Sequence, residues 1–422
     1  MSRTTSAGSS PASLEKPPST HFLGKMFRAF GYREFRLLWL GAFTSTIGTW
    51  MQEVAQNWLV LTLTGSAFLL GLDAFLGDVP IMLFSLAGGV IADRIDRRKL
   101  LLTSQYLQMS FALILAALIY THKVAIWQIL LLSFLTGSAQ AFGGPAYLAL
   151  VPTLVRKQDL SNAIALNSIQ FNLARIIGPL AAGLAFAALG AAACFFLNGV
   201  SFLAVILSLC LLKTHFIPKA SGQNALTELR GGLSFVKDQP ALLSLSLLAF
   251  CSTFFGIPLI TMLPIFARDI FHLGPKGYST LMAFFGAGAV LGALLVAALG
   301  SYPRKARATL LMQVLFGIMV IIFSFSRSLG MSLAALLLAG IALISVFAMI
   351  SSLVQHLAPE AMRGRIMSIY MIAFRGGMPL GSLVTGFLAS LHTPSVVLAC
   401  NGFFLCLVAG GFLFFNQSIK EL

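Results

Sequence analysis

The stretch GGVIADRIDRRKLLL, residues 88–102, is a charged loop between two long apolar segments. Residues 67–91 lead into the charges and residues 100–120 follow them, and both segments are predominantly apolar. A helix of about 20 apolar residues crosses a hydrocarbon core of about 30 Å. The stretch therefore predicts two transmembrane helices joined by a short loop at a membrane surface.

The rest of the chain repeats this pattern. Of its 422 residues, 58% are hydrophobic and 10% are charged, and the mean hydropathy of +0.91 excludes a soluble globular domain. Backbone polar groups in lipid must be satisfied within their own segment, so each span is predicted to be an α-helix. The twelve predicted spans are 36–63, 67–91, 100–120, 125–149, 163–187, 191–213, 241–266, 278–299, 308–326, 330–354, 366–390 and 395–416.

The twelve spans divide into two sets of six that resemble one another. RIIGPL at 175–180 and RGGMPL at 375–380 align Arg with Arg and Pro with Pro at an offset of 200 residues, each in the fifth span of its set. Such repeats are typical of a large class of secondary transporters, in which the substrate binds between the halves. We predict a disordered cytoplasmic tail at 1–30, six-helix halves at 31–213 and 241–416, a cytoplasmic linker at 214–240 and a cytoplasmic tail at 417–422.

Basic residues predict the orientation of the chain. Cytoplasmic loops are enriched in Lys and Arg, and with the amino terminus inside, 22 of the 28 basic residues are cytoplasmic. The other six are Arg175 and Arg375 within spans, and Lys123, Arg268, Lys276 and Arg327 on the outside. We therefore predict that both termini are cytoplasmic. The net charge of +15 then favours contact with anionic inner-leaflet lipid rather than with nucleic acid.

Patterns that indicate catalysis, metals or cofactors are absent from the sequence. The five cysteines lie within apolar spans and the six histidines lie at span ends or in loops, at spacings that match no zinc or disulfide pattern. GPKGYST, residues 274–280, departs from the phosphate-binding loop pattern. The sequence therefore predicts neither an enzyme nor a cofactor-dependent protein, and it gives no support for transport powered by ATP.

The charged loop contains a recognisable motif. Gly89, Asp93, Arg94, Arg97 and Arg98 fit the pattern G-x-x-x-D-R-x-x-R-R, which resembles the loop motif of the major facilitator superfamily. A small residue allows two helices to approach, and arginines hold such a loop by charge-assisted hydrogen bonds. The resemblance implies that Asp93 and Arg97 latch one conformation of a transporter.

Two positions depart from that motif. Asp96 stands where a glycine is usual between the basic residues. FGGPAYLALVP, residues 142–152, lacks the carboxylate that is often found at the inner end of the fourth helix. The partner of Arg97 is therefore left open by the sequence.

Three further stretches narrow the resemblance. WMQEVAQNWLVLTLTGS (50–66), FGGPAYLALVPTLV (142–155) and LPIFARDIFHLGPKGYSTLMAFFGAGAVLGALL (263–295) are similar to the bacterial branch of the superfamily that includes the enterobactin exporter and macrolide efflux proteins. The resemblance covers residues 30 to 415. It implies a small-molecule substrate and proton coupling.

The first span is apolar apart from one polar stripe. Thr46, Thr49, Glu53, Gln56 and Asn57 recur at three- and four-residue steps, so they share one face of a helix. Such a stripe is expected to line a cavity rather than to face lipid. Glu53 is our first candidate for proton coupling. The alternative is a structural Glu53, held by Gln and Asn side chains to fix helix packing.

Asp73 and Asp78 add two carboxylates on the second span. Five residues correspond to about 140° around a helix, so the two side chains cannot both face one cavity. Asp78 lies deeper, beside Pro80, and Asp73 lies nearer the outer surface. Both are coupling candidates, and the alternative for one of them is a gate contact.

An arginine lies in the fifth span of each half. Arg175 and Asn172 share a polar face of their predicted helix. Because Arg stays protonated, Arg175 cannot carry the proton, but it can bind an anionic substrate group or pair with Glu53 or Asp78. Arg375 is the corresponding residue of the second half. For both arginines the alternative is a paired structural charge that snorkels toward the inner surface.

Further residues complete the predicted cavity. Gln140 in the fourth span is a candidate for its wall, with a packing role as the alternative. The prolines and glycines that follow each arginine loosen the helix and permit close approach, which suits two halves that rock against each other. These helix-flexing candidates are Gly178, Pro179, Gly183, Pro379 and Gly381.

These features predict an all-α integral membrane protein, a monomer of twelve transmembrane helices. The resemblance implies export of an amphipathic molecule, such as a siderophore, a macrolide or another drug, across the bacterial inner membrane in exchange for protons. Import or lipid flipping by the same fold, and a membrane receptor that does not transport, are the alternatives. The expected partners are the substrate, protons and membrane lipid, without nucleic acid, metal or cofactor.

Overall fold

The described part of the chain is almost entirely helical. The computed structural model describes residues 27–212, 233–300, 304–360 and 362–415, apart from the side chains of Leu86, Val90, Asp93 and Phe415. Within these ranges the chain forms helices and no strand. Most of the linker predicted at 214–240 and all of the tail predicted at 417–422 lie outside the described residues.

In the described ranges, twelve long helices correspond one to one with the predicted spans. The first six are α1 (Arg33–Thr64), α2 (Ala67–Arg94), α3 (Arg97–Tyr120), α4 (Ile126–Leu150), α5 (Leu160–Leu189) and α6 (Ala191–Leu211). The seventh, α7, runs through Pro240–Gly256 and Pro258–Ile265 and ends in the π-helical turn Phe266–Ile270. The others are α8 (Pro275–Leu299), α9 (Lys305–Phe325), α10 (Leu329–Leu357), α11 (Arg363–Leu391) and α12 (Pro394–Phe415).

The first helix differs from the other spans in its apolarity. In the described residues, eleven helices are long and apolar enough to cross a membrane, and α1 is not among them. It is long enough, but its polar stripe lowers its average apolarity. Since α1 packs against α5 and α6, its polar residues face neighbouring helices and the space between them rather than lipid.

The two sets of six helices have the same packing. Gly178 of α5 lies against Ile47, Trp50 and Met51 of α1, with no room for a side chain. Gly377 of α11 lies in the same way against Phe250, Thr253 and Phe254 of α7. Each half therefore repeats one arrangement. The matched glycines are 199 residues apart, rather than the 200 that align the two arginines in the sequence. Arg375 therefore corresponds in packing to Ile176 and not to Arg175, since one residue turns a side chain by about 100°.

Among the described residues, two pairs of helices make the most extensive contacts between the halves. In one pair, Gly71 of α2 packs against Ser382 and Gly386 of α11. In the other, Gly183 of α5 packs against Ser279 of α8. These contacts lie toward the end of the bundle that contains the 65–66 turn, which we call the closed end; the end that contains the charged loop is the open end.

The segment before α1 is ordered. Arg28–Gly31 form a short 3₁₀ helix, and the backbone N–H of Ala29 donates to the side chain of Asn162 at 2.9 Å. Ala29 is fully buried. The disordered tail predicted for 1–30 is therefore wrong for residues 27–30, because they dock on the start of α5. Residues 1–26 lie outside the described ranges.

Candidate functional site

Four ionisable side chains lie near enough to one another in the middle of the bundle for their charges to interact. Glu53 of α1 interacts with Arg175 of α5 and with Asp78 of α2. Asp78 in turn interacts with Arg375 of α11. The chain of charges therefore crosses from the first half to the second, and we call it the charge chain.

The charge chain borders a space that water can enter. The side chains of Glu53 and Arg375 are exposed, and those of Asp78 and Arg175 are partly exposed, although all four lie well inside their helices. A charge at the centre of the bilayer costs roughly 2.5–3.5 kcal/mol on insertion scales, so such groups face a cavity or a partner rather than lipid. The charge chain is thus the polar wall of a cavity between the halves.

Aromatic rings hold Arg175 in place. Its guanidinium lies 4.9 Å from the ring centroid of Trp50 and 5.8 Å from that of Phe171. In the described part of the chain its Nε is inaccessible and has no hydrogen-bond partner. Arginine stacks well on aromatic faces because its charge is delocalised over a plane. Arg175 is therefore a fixed positive charge that retains open hydrogen-bond donors.

Asp73 lies outside the charge chain. It is only 3% exposed, and its carboxylate accepts hydrogen bonds from the hydroxyl of Ser133 at 2.5 Å and from the side-chain amide of Gln56 at 2.8 Å. Its charge also acts on Glu53, but its two carboxylate oxygens are occupied by these hydrogen bonds within the first half. Asp73 thus joins α1, α2 and α4 within the first half.

The polar stripe of α1 divides into two parts. Thr49 and Glu53 are exposed to the cavity. Gln56 is bonded inside the first half, and Asn57 is buried, with its amide donating to the hydroxyl of Tyr278 at 3.3 Å. In this conformation Gln56 and Asn57 therefore lie in the closed roof of the cavity rather than on its accessible wall, because α8 covers that end of α1.

The remaining polar candidates differ in their surroundings. Gln140 of α4 is exposed in the middle of its helix. Asn172 of α5 is partly exposed, and its amide donates to the carbonyl of Ser168 in the same helix at 2.8 Å. Gln140 therefore has a free side chain for a ligand, whereas Asn172 is partly occupied by its own backbone.

The helix-flexing candidates sit at close contacts. Gly178 and Gly381 leave no room for a side chain, since the first lies against Trp50 and the second against the backbone of Phe254. Pro179 and Pro379 are buried within the unbroken helices α5 and α11. The structure thus assigns close packing to these glycines, and the loosening of the helices stays a prediction.

The charged loop is bonded within the first half. Arg97 donates to the carbonyl of Ala149 at the end of α4 at 2.9 Å. Arg98 donates to the carbonyls of Cys210 and Leu212 at the end of α6, both at 2.9 Å. A helix end presents carbonyls with partial negative charge. A backbone carbonyl of α4 thus accepts from Arg97 where the family motif usually supplies a carboxylate.

Close approach at this loop involves a different glycine from the predicted one. Gly88 lies against Ala141 and Phe142 of α4, whereas a Cβ at Gly89 would meet no atom within 4 Å. The prediction that Gly89 allows two helices to approach is therefore wrong for this conformation, since its face of α2 is open. Arg94 is exposed, and the side chain of Asp93 lies outside the described residues.

Sequence reasoning missed three residues of the closed end. Arg268 and Asp269 of α7 and Tyr278 of α8 all face the first half or its boundary, and Arg268 donates to the carbonyl of Leu61 in α1 at 2.9 Å. All three lie in the 263–295 stretch, which supplied the family resemblance. A paired Arg-Asp at a span end was the available signal.

Comparison with known proteins agrees with this architecture. Residues 26–422 match the family described as "Transmembrane secretion effector". The chain is 28% identical over 385 residues to the Staphyloferrin A transporter of Staphylococcus aureus, with 90% of this chain and 95% of that protein covered. It is 27% identical over 387 residues to the Enterobactin exporter EntS of Shigella boydii, with 89% of each covered.

A solved structure shares the fold. A bacterial homolog of the human lysosomal transporter Spinster, in an inward-facing and unoccupied conformation, is 17% identical with a TM-score of 0.67, covering 92% of this chain and 93% of that one. The family match spans nearly the whole chain, and the described helices form two six-helix repeats. The chain therefore belongs to the transmembrane secretion effector family of the major facilitator superfamily, whose members are transporters rather than enzymes.

Proposed function

We propose that this protein exports an amphipathic small molecule across the bacterial inner membrane by alternating access, in exchange for protons. A relative that aligns over most of the chain is named as an exporter of enterobactin. The observation that carries the proposal is the charge chain, which links two carboxylates of one half to an arginine of the other.

The charge chain supports exchange for a physical reason. A proton on Asp78 removes the negative charge that attracts Arg375, and it therefore weakens the attraction between α2 and α11. A substrate in the same cavity lies beside the same carboxylates. If a bound proton weakens the binding of substrate, then bound substrate weakens the binding of the proton by the same factor. A carrier whose two ligands exclude each other in this way exchanges one for the other.

The orientation follows from the basic residues. We propose that the closed end faces the exterior and that both termini are cytoplasmic, because 22 of the 28 basic residues then lie inside. In that orientation the cavity is loaded from the cytoplasm. Thr49, Gln140 and Arg175 are the side chains proposed to contact the substrate, and Glu53 and Asp78 are proposed to carry the protons.

Proton movement in proteoliposomes tests the proposal. The purified protein is reconstituted with a pH-sensitive dye inside, and enterobactin or ethidium is supplied on one side. We expect protons to move opposite to the substrate. Protons that move with the substrate would indicate an importer. Binding of both compounds without any pH change would contradict exchange and favour a receptor.

A further inference from the structure

The closed end contains a contact that the charge chain does not explain. Arg268, in the π-helical turn Phe266–Ile270, donates from Nη1 to the carbonyl of Leu61 at 2.9 Å. Leu61 belongs to the last turn of α1, so this hydrogen bond joins the two halves. This hydrogen bond lies at the closed end, whereas the charge chain lies in the middle of the bundle, and no residue belongs to both.

The guanidinium of Arg268 is held by a neighbouring carboxylate. Nε and Nη2 donate to the two oxygens of Asp269 at 2.6 and 3.0 Å. This bidentate pair occupies one edge of the guanidinium and leaves Nη1 directed toward α1. A lysine cannot reproduce the arrangement, because its ammonium is a point charge without a planar fork.

The acceptor on α1 suits a cation. The carbonyl of Leu61 also accepts from the backbone N–H of Gly65 at 2.8 Å, and Gly65 caps the helix with a φ of 63°. The carboxyl end of a helix has partial negative charge, which a nearby guanidinium stabilises. Arg268 therefore binds a helix end whose last carbonyls are also capped by Gly65.

A second contact accompanies the first. Trp58 of α1 and Tyr278 of α8 stack with ring centroids 6.2 Å apart, and the Tyr278 hydroxyl accepts from Asn57 at 3.3 Å. A cleft of about 310 Å³ lies beside the same junction. Residues 65–67 of the first half line one side of it, and Asp269, Ala389, Ser390 and Pro394 of the second half line the other. The junction thus depends on a few directed contacts beside an open cleft.

We infer that Arg268 and Asp269 form a latch that holds the two halves together at the closed end and so positions them for the transport cycle. This inference rests on alternating access as proposed above. The π-helical turn supports it, since such turns redirect side chains and are frequent at functional sites. Opening the closed end then requires the bond from Arg268 to Leu61 to break, while the pair with Asp269 persists.

Thiol labelling of a buried position tests the latch. Ser279, 3% exposed and packed against Gly183, is replaced by cysteine in a variant whose five native cysteines are removed. In detergent, Arg268→Ala and Arg268→Lys should each speed maleimide labelling about tenfold, the effect of losing a hydrogen bond from a charged group. Arg327→Ala is the matched control, because Arg327 is exposed at the same end without a partner among the described residues.

The outcomes separate the latch from the proposed exchange. Equal labelling rates for Arg268→Ala and the parent would overturn the latch. A parent-like labelling rate for Arg268→Lys would show that the latch does not need a guanidinium that binds Asp269 and Leu61 at the same time. Should Arg268→Ala fail to fold, Asp269→Asn provides the test, with faster labelling expected because the guanidinium loses its orienting charge. The labelling needs neither substrate nor a pH gradient, so failure of proton exchange in vesicles leaves it interpretable.

Discussion

The two halves have the same packing but different charges. Among the described residues, the first half has three carboxylates in the middle of its helices, at Glu53, Asp73 and Asp78. In the second half, Arg375 is the charged residue in the middle of a helix, and the acidic residues Asp269 and Glu360 lie at or beyond helix ends. The repeat therefore maintains the scaffold in both halves, while the titratable groups are concentrated in one.

The equivalent of Glu53 shows how the second half differs. The matched contacts of Gly178 and Gly377 align Trp50 with Thr253, so Glu53, three residues on, aligns with Gly256. A Cβ at Gly256 would lie 2.6 Å from Cε1 of Phe316, which is fully buried. The first half uses this position for a carboxylate facing water, and the second half uses it for close packing.

Removing the carboxylate of α1 tests this division most severely. Glu53→Gln should abolish proton-driven substrate movement in proteoliposomes, because the variant cannot release a proton, and it should leave the amount of folded protein unchanged. Glu360→Gln, exposed in the second half, is the control and should transport normally. Full exchange by Glu53→Gln would remove this residue from the mechanism.

The two arginines should respond unequally to the same change. Arg175→Lys loses the stacking on Trp50 and Phe171, which is worth up to about 2 kcal/mol in a desolvated site, so substrate affinity should fall by about tenfold. Arg375→Lys should change affinity by less than about threefold, since Arg375 is exposed and no aromatic ring among the described residues stacks on its guanidinium. Binding titrations of both purified variants measure the difference, and equal losses would contradict it.

The packing role of Gly256 predicts an effect on stability. Gly256→Ala should destabilise the protein by about 1–3 kcal/mol through overpacking against Phe316, which appears as a lower thermal midpoint in detergent. Gly410→Ala is the matched control in the same half, because a Cβ there would meet no atom within 4 Å. A midpoint for Gly256→Ala at or above that of Gly410→Ala would refute the packing assignment.

The smallest effect is expected at Asp73. Asp73→Asn keeps the shape of the side chain, but its amide nitrogen cannot accept, so one of the two hydrogen bonds from Ser133 and Gln56 is lost, at a cost of about 1–3 kcal/mol. Exchange should stay within about threefold of the parent, whereas Asp78→Asn should lose most of it. The vesicle assay compares the two directly. Loss of exchange in Asp73→Asn would extend the coupling site toward the closed end.

The sequence by itself determined the helices and their repeat. The apolar segments located the twelve long helices, including the less apolar α1, and the shared Arg and Pro of 175–180 and 375–380 identified the two halves. Both signals are local, because a span must satisfy its backbone within itself and must be apolar where it meets lipid. For the same reason the sequence identified the few ionisable residues within the spans, including Glu53 and Asp78.

Only the tertiary structure decided which of these residues meet. Arg175 stacks on Trp50, Asp78 interacts with Arg375 across the halves, and Asp73 is bonded away from the cavity. These partners are far apart in the chain, and a shift of one residue in helix packing turns a side chain by about 100°. Helical periodicity determines which residues share a face, but the packing of neighbouring helices determines what that face contacts.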